Sequence, residues 1–75
     1  MLLLYKKESC PYCKKVVDFL ESKNINYRGM DVSDSVNMDE LLNIGGIDQV
    51  PFLVDTDNNI KMYESQEIIK YVDAL

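Results

Sequence analysis

A chain of 75 residues has room for one domain, taken here as residues 1–75, and this length excludes a multidomain enzyme or a solenoid. Apolar residues make up 47% of the chain and charged residues 28%, a balance typical of a globular protein and not of a disordered one. Thirteen acidic against eight basic residues give a net charge of −5, which argues against nucleic acid as a partner of the whole molecule.

The first third of the chain predicts a strand followed by a helix. Residues 2–5 form a short apolar run, typical of a strand that is buried on both faces. Pro11 suits the first turn of a helix, where its missing N–H removes a donor that has no partner. An apolar stripe follows at helical spacing, and the helix is expected to end near residues 23–24; the stripe consists of Cys13, Val16, Val17 and Leu20.

The middle of the chain predicts a second strand and a second helix. Residues 25–32 partly alternate between apolar and polar and indicate a strand. Ser33 or Asp34 is expected to cap a helix over about residues 35–44, with Gly45 just beyond its end. The inward side chains of this helix are predicted to be Val36, Leu41 and Leu42.

The last third predicts a hairpin and a third helix. Residues 52–54 and 60–63 indicate two strands joined by the turn-forming residues 55–59. Ser65 is a candidate cap for the last helix, whose predicted buried face consists of Ile68, Ile69, Val72 and Leu75. The order β-α-β-α-β-β-α predicts an α/β fold: a four-stranded mixed sheet with helices on both faces, the first two strands parallel and the last two antiparallel.

Missing residue types exclude several kinds of active site. The chain has no His, which rules out a Ser-His-Asp triad or a Cys-His pair, and its three Gly form no phosphate-binding loop. Two Cys cannot complete a structural zinc site within one chain, so no metal site is expected. No apolar run approaches the roughly 18 residues of a membrane span, and the first residues lack the features of a signal peptide. We therefore expect a cytoplasmic monomer that does not bind membranes.

The remaining reactive chemistry is the pair Cys10 and Cys13. Their i, i+3 spacing at a predicted helix start places both sulfurs on one side, close enough to form a disulfide. Cys10 at the helix N-terminus is predicted to be the exposed nucleophile, because unpaired N–H groups favour its thiolate. Cys13 on the apolar stripe is predicted to be the shielded resolving thiol. A stabilising disulfide is disfavoured, because it would close too short a loop and would not stay oxidised in the cytosol.

Charge is unevenly distributed around this pair. Residues 1–28 hold six bases and three acids, whereas residues 29–75 hold two bases and ten acids. Four lysines bracket the cysteines, namely Lys6, Lys7, Lys14 and Lys15. Two interpretations stay open: a solvated surface, or a local positive potential that favours a thiolate and attracts an anionic thiol.

The segment Cys10-Pro11-Tyr12-Cys13 resembles the dithiol active site of the glutaredoxins, and the resemblance extends over nearly the whole chain. It implies the minimal thioredoxin-like fold, glutathione as a co-substrate with no tightly bound cofactor, and a cis bond between Val50 and Pro51. It further implies that Lys7 approaches the glycyl carboxylate of glutathione and that Tyr12 flanks its thiol. Val50 and Pro51 are also implied in the glutathione site, with the Val50 backbone pairing with the cysteinyl residue. Three of these positions also have a plain alternative: Lys7 as a solvated lysine, Tyr12 as exposed packing and Pro51 as a strand-opening proline.

The C-terminal part departs from the glutaredoxin pattern. Glu64-Ser65 is similar to the Glu-Ser segment of glutathione S-transferase N-terminal domains, which implies binding of the γ-glutamyl carboxylate at a helix start. Ser65 as a simple helix cap is the alternative. Gln49 stands where glutaredoxins usually have threonine, which leaves the contribution of that side chain open.

The resemblance predicts a glutathione-dependent oxidoreductase that reduces protein disulfides and glutathione mixed disulfides. One alternative is a donor reduced by thioredoxin reductase, for example for ribonucleotide reductase. Two others are an iron–sulfur carrier that shares a cluster between two chains and a transferase-like glutathione-binding module.

Overall fold

The computed structural model describes all 75 residues and contains seven elements in the predicted order. The strands and helices alternate before a final hairpin and helix: β1 (Leu2–Lys6), α1 (Pro11–Ser22), β2 (Arg28–Asp31), α2 (Ser35–Gly45), β3 (Phe52–Asp55), β4 (Ile60–Tyr63) and α3 (Ser65–Asp73). The sheet order is β2-β1-β3-β4, with β1 and β2 parallel and the other two pairs antiparallel. The predicted α/β fold and strand directions are confirmed.

Each face of the sheet has its own core, because successive side chains of a strand point to opposite faces. On one face, α1 and α3 cover a cluster of seven buried residues: Leu2, Leu4, Val16, Leu20, Leu53, Ile68 and Val72. On the other face, α2 covers a cluster of four: Tyr5, Val32, Leu41 and Phe52. Residues 2–5 therefore supply both cores, as the continuous apolar run predicts.

The end of α2 differs from the prediction by one residue. Asp34 caps its N-terminus by accepting the N–H of Val36 at 2.9 Å. Gly45 is still helical, and Gly46 ends the helix with φ of 83°. Glycine suits Gly46 because this left-handed conformation is costly for residues with a Cβ.

Gly45 meets a second requirement, which is space. A Cβ at this position would clash with the Tyr63 hydroxyl and lie 3.1 Å from the Phe52 ring. The Tyr63 hydroxyl donates to the Ile47 carbonyl at 3.0 Å and accepts the Ile47 N–H at 3.3 Å. The missing side chain of Gly45 therefore lets Tyr63 connect β4 to the loop after α2.

The prediction that Ser65 caps α3 is wrong. Ser65 is the first helical residue and is buried, whereas Glu64 occupies the cap position with φ of 75° and makes no side-chain capping bond. The positive φ of a non-glycine residue is an uncommon conformation. It turns the chain sharply from β4 into the helix.

Several predicted inward positions are also wrong. Val36 is 62% exposed and Leu42 is 41% exposed, because α2 packs on the sheet through the narrower stripe that contains Leu41. Leu75 lies after the end of α3 and is 63% exposed. Ile69 is only half-buried at the side of the α3 stripe.

The strand predicted for residues 25–32 is limited to β2, because only Arg28 to Asp31 pair with β1. Both edges of the sheet are short. β2 and β4 have four residues each, and each carries charged side chains.

Candidate active site

The two cysteines lie where β1 leads into α1. Cys10 is the N-cap of α1, and its sulfur accepts the Cys13 N–H at a distance of 3.3 Å. Pro11 follows in the first turn, where its fixed φ and missing N–H cost the helix nothing. The sequence thus places the Cys10 sulfur at the end of a helix where unpaired N–H groups stabilise negative charge.

Exposure separates the two sulfurs, as the apolar stripe predicts. Cys10 is half-buried, whereas Cys13 is 1% exposed, and the two thiols are not bridged. Burial raises the pKa of the Cys13 thiol far above its ordinary value, and its hydrogen bond with Cys10 raises it further. Cys13 is therefore protonated at neutral pH.

The bond between Val50 and Pro51 is cis, as the resemblance implies. Pro51, directly before β3, is buried, and Val50 is half-buried. The Cys10 sulfur lies 3.9 Å from the Val50 carbonyl oxygen. The loop before β3 therefore contacts the outer cysteine directly.

A half-open groove of about 630 Å³ runs beside this loop. Five of the residues that the sequence predicts for glutathione line it together: Tyr12, Val50, Pro51, Glu64 and Ser65. Lys7 does not line it. Lys7 instead lines a shallower depression of about 300 Å³, together with Lys6, Lys14 and Cys13.

Sequence reasoning assigned no role in the groove to four of its residues: Lys15, Gln49, Gln66 and Glu67. Lys15 lies one helical turn after Tyr12, so the i, i+3 spacing was a signal for it. Gln66 and Glu67 directly follow Ser65 in the first turn of α3. These three therefore accompany predicted residues on the same helix turns.

For Gln49, the resemblance marks the position but leaves the contribution of the side chain open. Its side-chain amide donates to the Glu64 carboxylate at 3.3 Å, across the groove from one loop to the start of α3. Only the folded chain brings these two positions together. The side chain that the resemblance left open thus has a partner within the protein.

Charge differs on the two sides of the cysteine pair. The groove carries two carboxylates, Glu64 and Glu67, and one amine, Lys15. The depression on the other side carries three lysines and Glu8. The described chain holds no group of three or more metal-ligating side chains, and none of its helices has the length and apolar character to cross a bilayer.

The family model for the N-terminal domain of glutathione S-transferases matches residues 4–75. The chain belongs to this family. It is also 30% identical over 74 residues to a glutaredoxin-like 8.6 kDa protein in the rubredoxin operon of Clostridium pasteurianum, covering 97% of this chain and 99% of that one. This member of the transferase N-domain family is therefore glutaredoxin-like, with a close Cys10–Cys13 pair.

Solved structures share the fold of this chain. A thioredoxin-like protein superposes with a TM-score of 0.83 at 26% identity, over 100% of both chains. A glutathione transferase homologue from Sulfitobacter, solved with bound glutathione, superposes with a TM-score of 0.80 at 23% identity, over 99% of this chain and 36% of that one. The thioredoxin-like fold is thus shown. This chain corresponds to about a third of the longer transferase homologue.

Proposed function

We propose that this protein is a glutathione-dependent thiol-disulfide oxidoreductase. The observation that carries the proposal is the unequal cysteine pair. The half-buried Cys10 sulfur accepts an N–H at the start of α1, while Cys13 is buried behind it. An accessible sulfur at a helix N-terminus, next to a buried and protonated second thiol, is the arrangement that two-step disulfide exchange requires.

For a protein disulfide, the Cys10 thiolate attacks one of the two sulfurs and forms a mixed disulfide with it. The other sulfur leaves as a thiolate. Cys13 then loses its proton and attacks the Cys10 sulfur. This step releases the second substrate thiol and leaves a Cys10–Cys13 disulfide. The substrate gains two electrons and two protons: the cysteine pair supplies both electrons and the Cys13 proton, and water supplies the second proton.

Glutathione returns the protein to its dithiol form. Two glutathione molecules reduce the Cys10–Cys13 disulfide and leave as glutathione disulfide, so glutathione is a co-substrate and not a resident cofactor. With a glutathione mixed disulfide, Cys10 takes the glutathionyl group and releases the substrate thiol. A second glutathione then attacks the glutathionyl sulfur and leaves with it as glutathione disulfide, which restores the Cys10 thiolate without Cys13.

The groove supports binding of glutathione in an extended form. The Val50 backbone, 3.9 Å from the Cys10 sulfur at its carbonyl oxygen, would pair with the cysteinyl residue as an added strand does. Tyr12 would flank the thiol. At the start of α3, Ser65 would hold the γ-glutamyl carboxylate and Glu64 the neighbouring ammonium group. Lys7 is proposed for the glycyl carboxylate from the other side of the cysteine pair.

Turnover of a glutathione mixed disulfide, coupled to NADPH through glutathione reductase, tests this proposal. We expect activity in the wild type and in Cys13→Ser, because the second glutathione replaces Cys13 in that cycle. Reduction of a protein disulfide such as that of insulin is expected to fall strongly in Cys13→Ser. Absence of glutathione-dependent turnover in both proteins would contradict the proposal.

A second candidate is an electron donor for other enzymes that is itself reduced by thioredoxin reductase. One observation favours it: the groove sets two carboxylates against one amine, and Lys7 lies outside it, which is a weak match for an anionic tripeptide. Direct reduction of the Cys10–Cys13 disulfide by NADPH and thioredoxin reductase, without glutathione, would establish this candidate.

A further inference from the structure

A furrow lies between α1 and α3, next to the groove beside Cys10. It measures about 580 Å³, and the atoms that line it are mostly carbon. Phe19 and Ile69 form its apolar part, and the side chains along it are Lys15, Asp18, Ser22, Gln66 and Lys70. Phe19 and Ile69 are each only half-buried, so the furrow leaves part of both open to solvent.

The furrow and the groove are continuous. Lys15 and Gln66 line both of them. The first residues of α1 and α3 line the groove, and residues one to two turns later line the furrow, so both helices lead away from Cys10. A chain that occupies the groove therefore reaches the furrow by passing Lys15 and Gln66.

The distance from the start of α1, beside Cys10, to the furrow determines how long a bound chain must be to reach it. From Pro11 to Phe19 the helical rise of about 1.5 Å per residue amounts to about 12 Å. An extended chain covers that length in about four residues at about 3.3 Å each. Glutathione has three residues and no apolar side chain, so it ends within the groove and gains nothing from the furrow.

We infer that the furrow receives an apolar side chain of a polypeptide substrate, about four residues from the substrate cysteine that Cys10 attacks. The inference rests on the proposed function, whose exchange step it leaves unchanged: the Cys10 thiolate attacks the disulfide and the second sulfur leaves as a thiolate. Burial of the apolar side chain adds affinity for polypeptide disulfides only. The furrow thus makes the protein prefer polypeptide disulfides over small glutathione mixed disulfides.

Three disulfide-linked peptide dimers test this inference. Each monomer is a Ser/Gly decapeptide with one Cys; one carries Phe four residues after Cys, one carries Phe four residues before it, and one carries Ser at both positions. We expect one Phe peptide to exceed the Ser peptide about tenfold in kcat/KM, the usual scale for partial burial of such a side chain. The mixed disulfide of glutathione and 2-mercaptoethanol serves as the small reference substrate.

Variants locate the effect. Ile69→Gln makes the furrow polar, and Ser22→Trp fills it from an exposed position without removing core packing. Both are expected to abolish the advantage of the Phe peptide and to retain turnover of the small reference substrate. The matched control is Ile44→Gln, which changes a half-buried residue that packs on the core of the opposite face and is expected to keep the advantage.

The outcomes are distinguishable. Equal rates for all three peptides, with the small substrate still turned over, would overturn the furrow inference and leave the proposed function standing. An advantage that persists in Ser22→Trp would also overturn it. A wild-type dimer in sedimentation that Ser22→Trp dissociates would instead assign the furrow to a second copy of the chain. If the wild type reduced neither the peptide disulfides nor the small reference substrate, both proposals would be overturned.

Discussion

The two faces of the sheet differ in the size of the core that covers them. The face under α1 and α3 has seven buried residues, two helices and the cysteine pair, whereas the face under α2 has four buried residues and one helix. The α2 face compensates with polar connections: the Tyr5 hydroxyl donates to Glu40 at 2.9 Å, and Tyr63 bonds to both backbone groups of Ile47.

This difference relates to where the chemistry lies. Cys13 belongs to the apolar stripe of α1 that also forms the larger core, so its shielding follows from packing that the fold needs in any case. The α2 face carries no reactive group and depends on aromatic packing, with Phe52 between Tyr5 and Tyr63 at ring distances of 5.8 and 4.5 Å. One face thus combines stability with reactivity, and the other serves stability alone.

The largest effect should come from Cys10→Ser on the reactive face. We expect reduction of every disulfide substrate to fall to background, because no other exposed thiol is present to attack. The free energy of unfolding should change little, since Cys10 is half-buried. Steady-state turnover and urea unfolding measure the two quantities. Retained turnover would show that Cys10 is not the nucleophile.

Resolution by Cys13 should depend steeply on pH. Burial raises its pKa, so the thiolate that attacks Cys10 is scarce at neutral pH and increases as the pH rises. Release of a thiol from a preformed Cys10 mixed disulfide should therefore accelerate about tenfold per unit from pH 7 up to pH 10. Stopped-flow detection of the released thiol measures this rate; a rate that levels off near pH 9, the ordinary pKa of a thiol, would show that Cys13 is not shielded.

Truncation in the two cores compares them directly. Leu20 and Leu41 are both fully buried, one in each cluster. Leu20→Ala should cost about 3–5 kcal/mol, because two helices and the sheet enclose the resulting cavity. Leu41→Ala should cost about 2–3 kcal/mol, because α2 alone can shift to close it. Urea unfolding measures both values, and a reversed order would contradict the ranking of the faces.

Gly45→Ala should destabilise the α2 face by about 1–3 kcal/mol, because the added Cβ displaces the Tyr63 hydroxyl from Ile47. Gly29→Ala is the matched control, since its Cβ would meet only the flexible Lys6 side chain. That variant is expected to stay within about 0.5 kcal/mol of the wild type. Equal losses in the two variants would mean that Tyr63 contributes nothing to this face.

The last effect is absent at neutral pH and should appear only at alkaline pH. Burial, followed by the hydrogen bond to Glu40, raises the pKa of Tyr5 from 10.0 to about 12. A raised folded pKa stabilises the protein below the unfolded value of 10, and this contribution is lost as the pH rises towards 12. Tyr5→Phe should therefore unfold with a shallower pH dependence between 10 and 12, which denaturation at several pH values measures.

The sequence predicts the parts of this molecule that depend on neighbours along the chain. The order of elements, the strand directions and the unequal exposure of Cys10 and Cys13 follow from periodicity and from Pro11. The positive φ of Glu64 was not predictable, because nothing local requires it. The contact between Gln49 and Glu64 spans 15 residues and exists only once β3, β4 and α3 are packed. Lys7 was assigned by resemblance, and the fold directs it to the opposite side of the cysteines from the groove.

The short outer strands have a consequence for how copies of the protein meet at high concentration. β2 and β4 expose unpaired backbone groups, which invite another strand to add to the sheet. Arg28 and Asp31 on one edge and Lys61 on the other would bring charge into any such added ladder, and the Lys61 amine donates across the edge to the Ile44 carbonyl at 3.2 Å. The same four-residue strands that complete the sheet therefore also oppose its growth into aggregates.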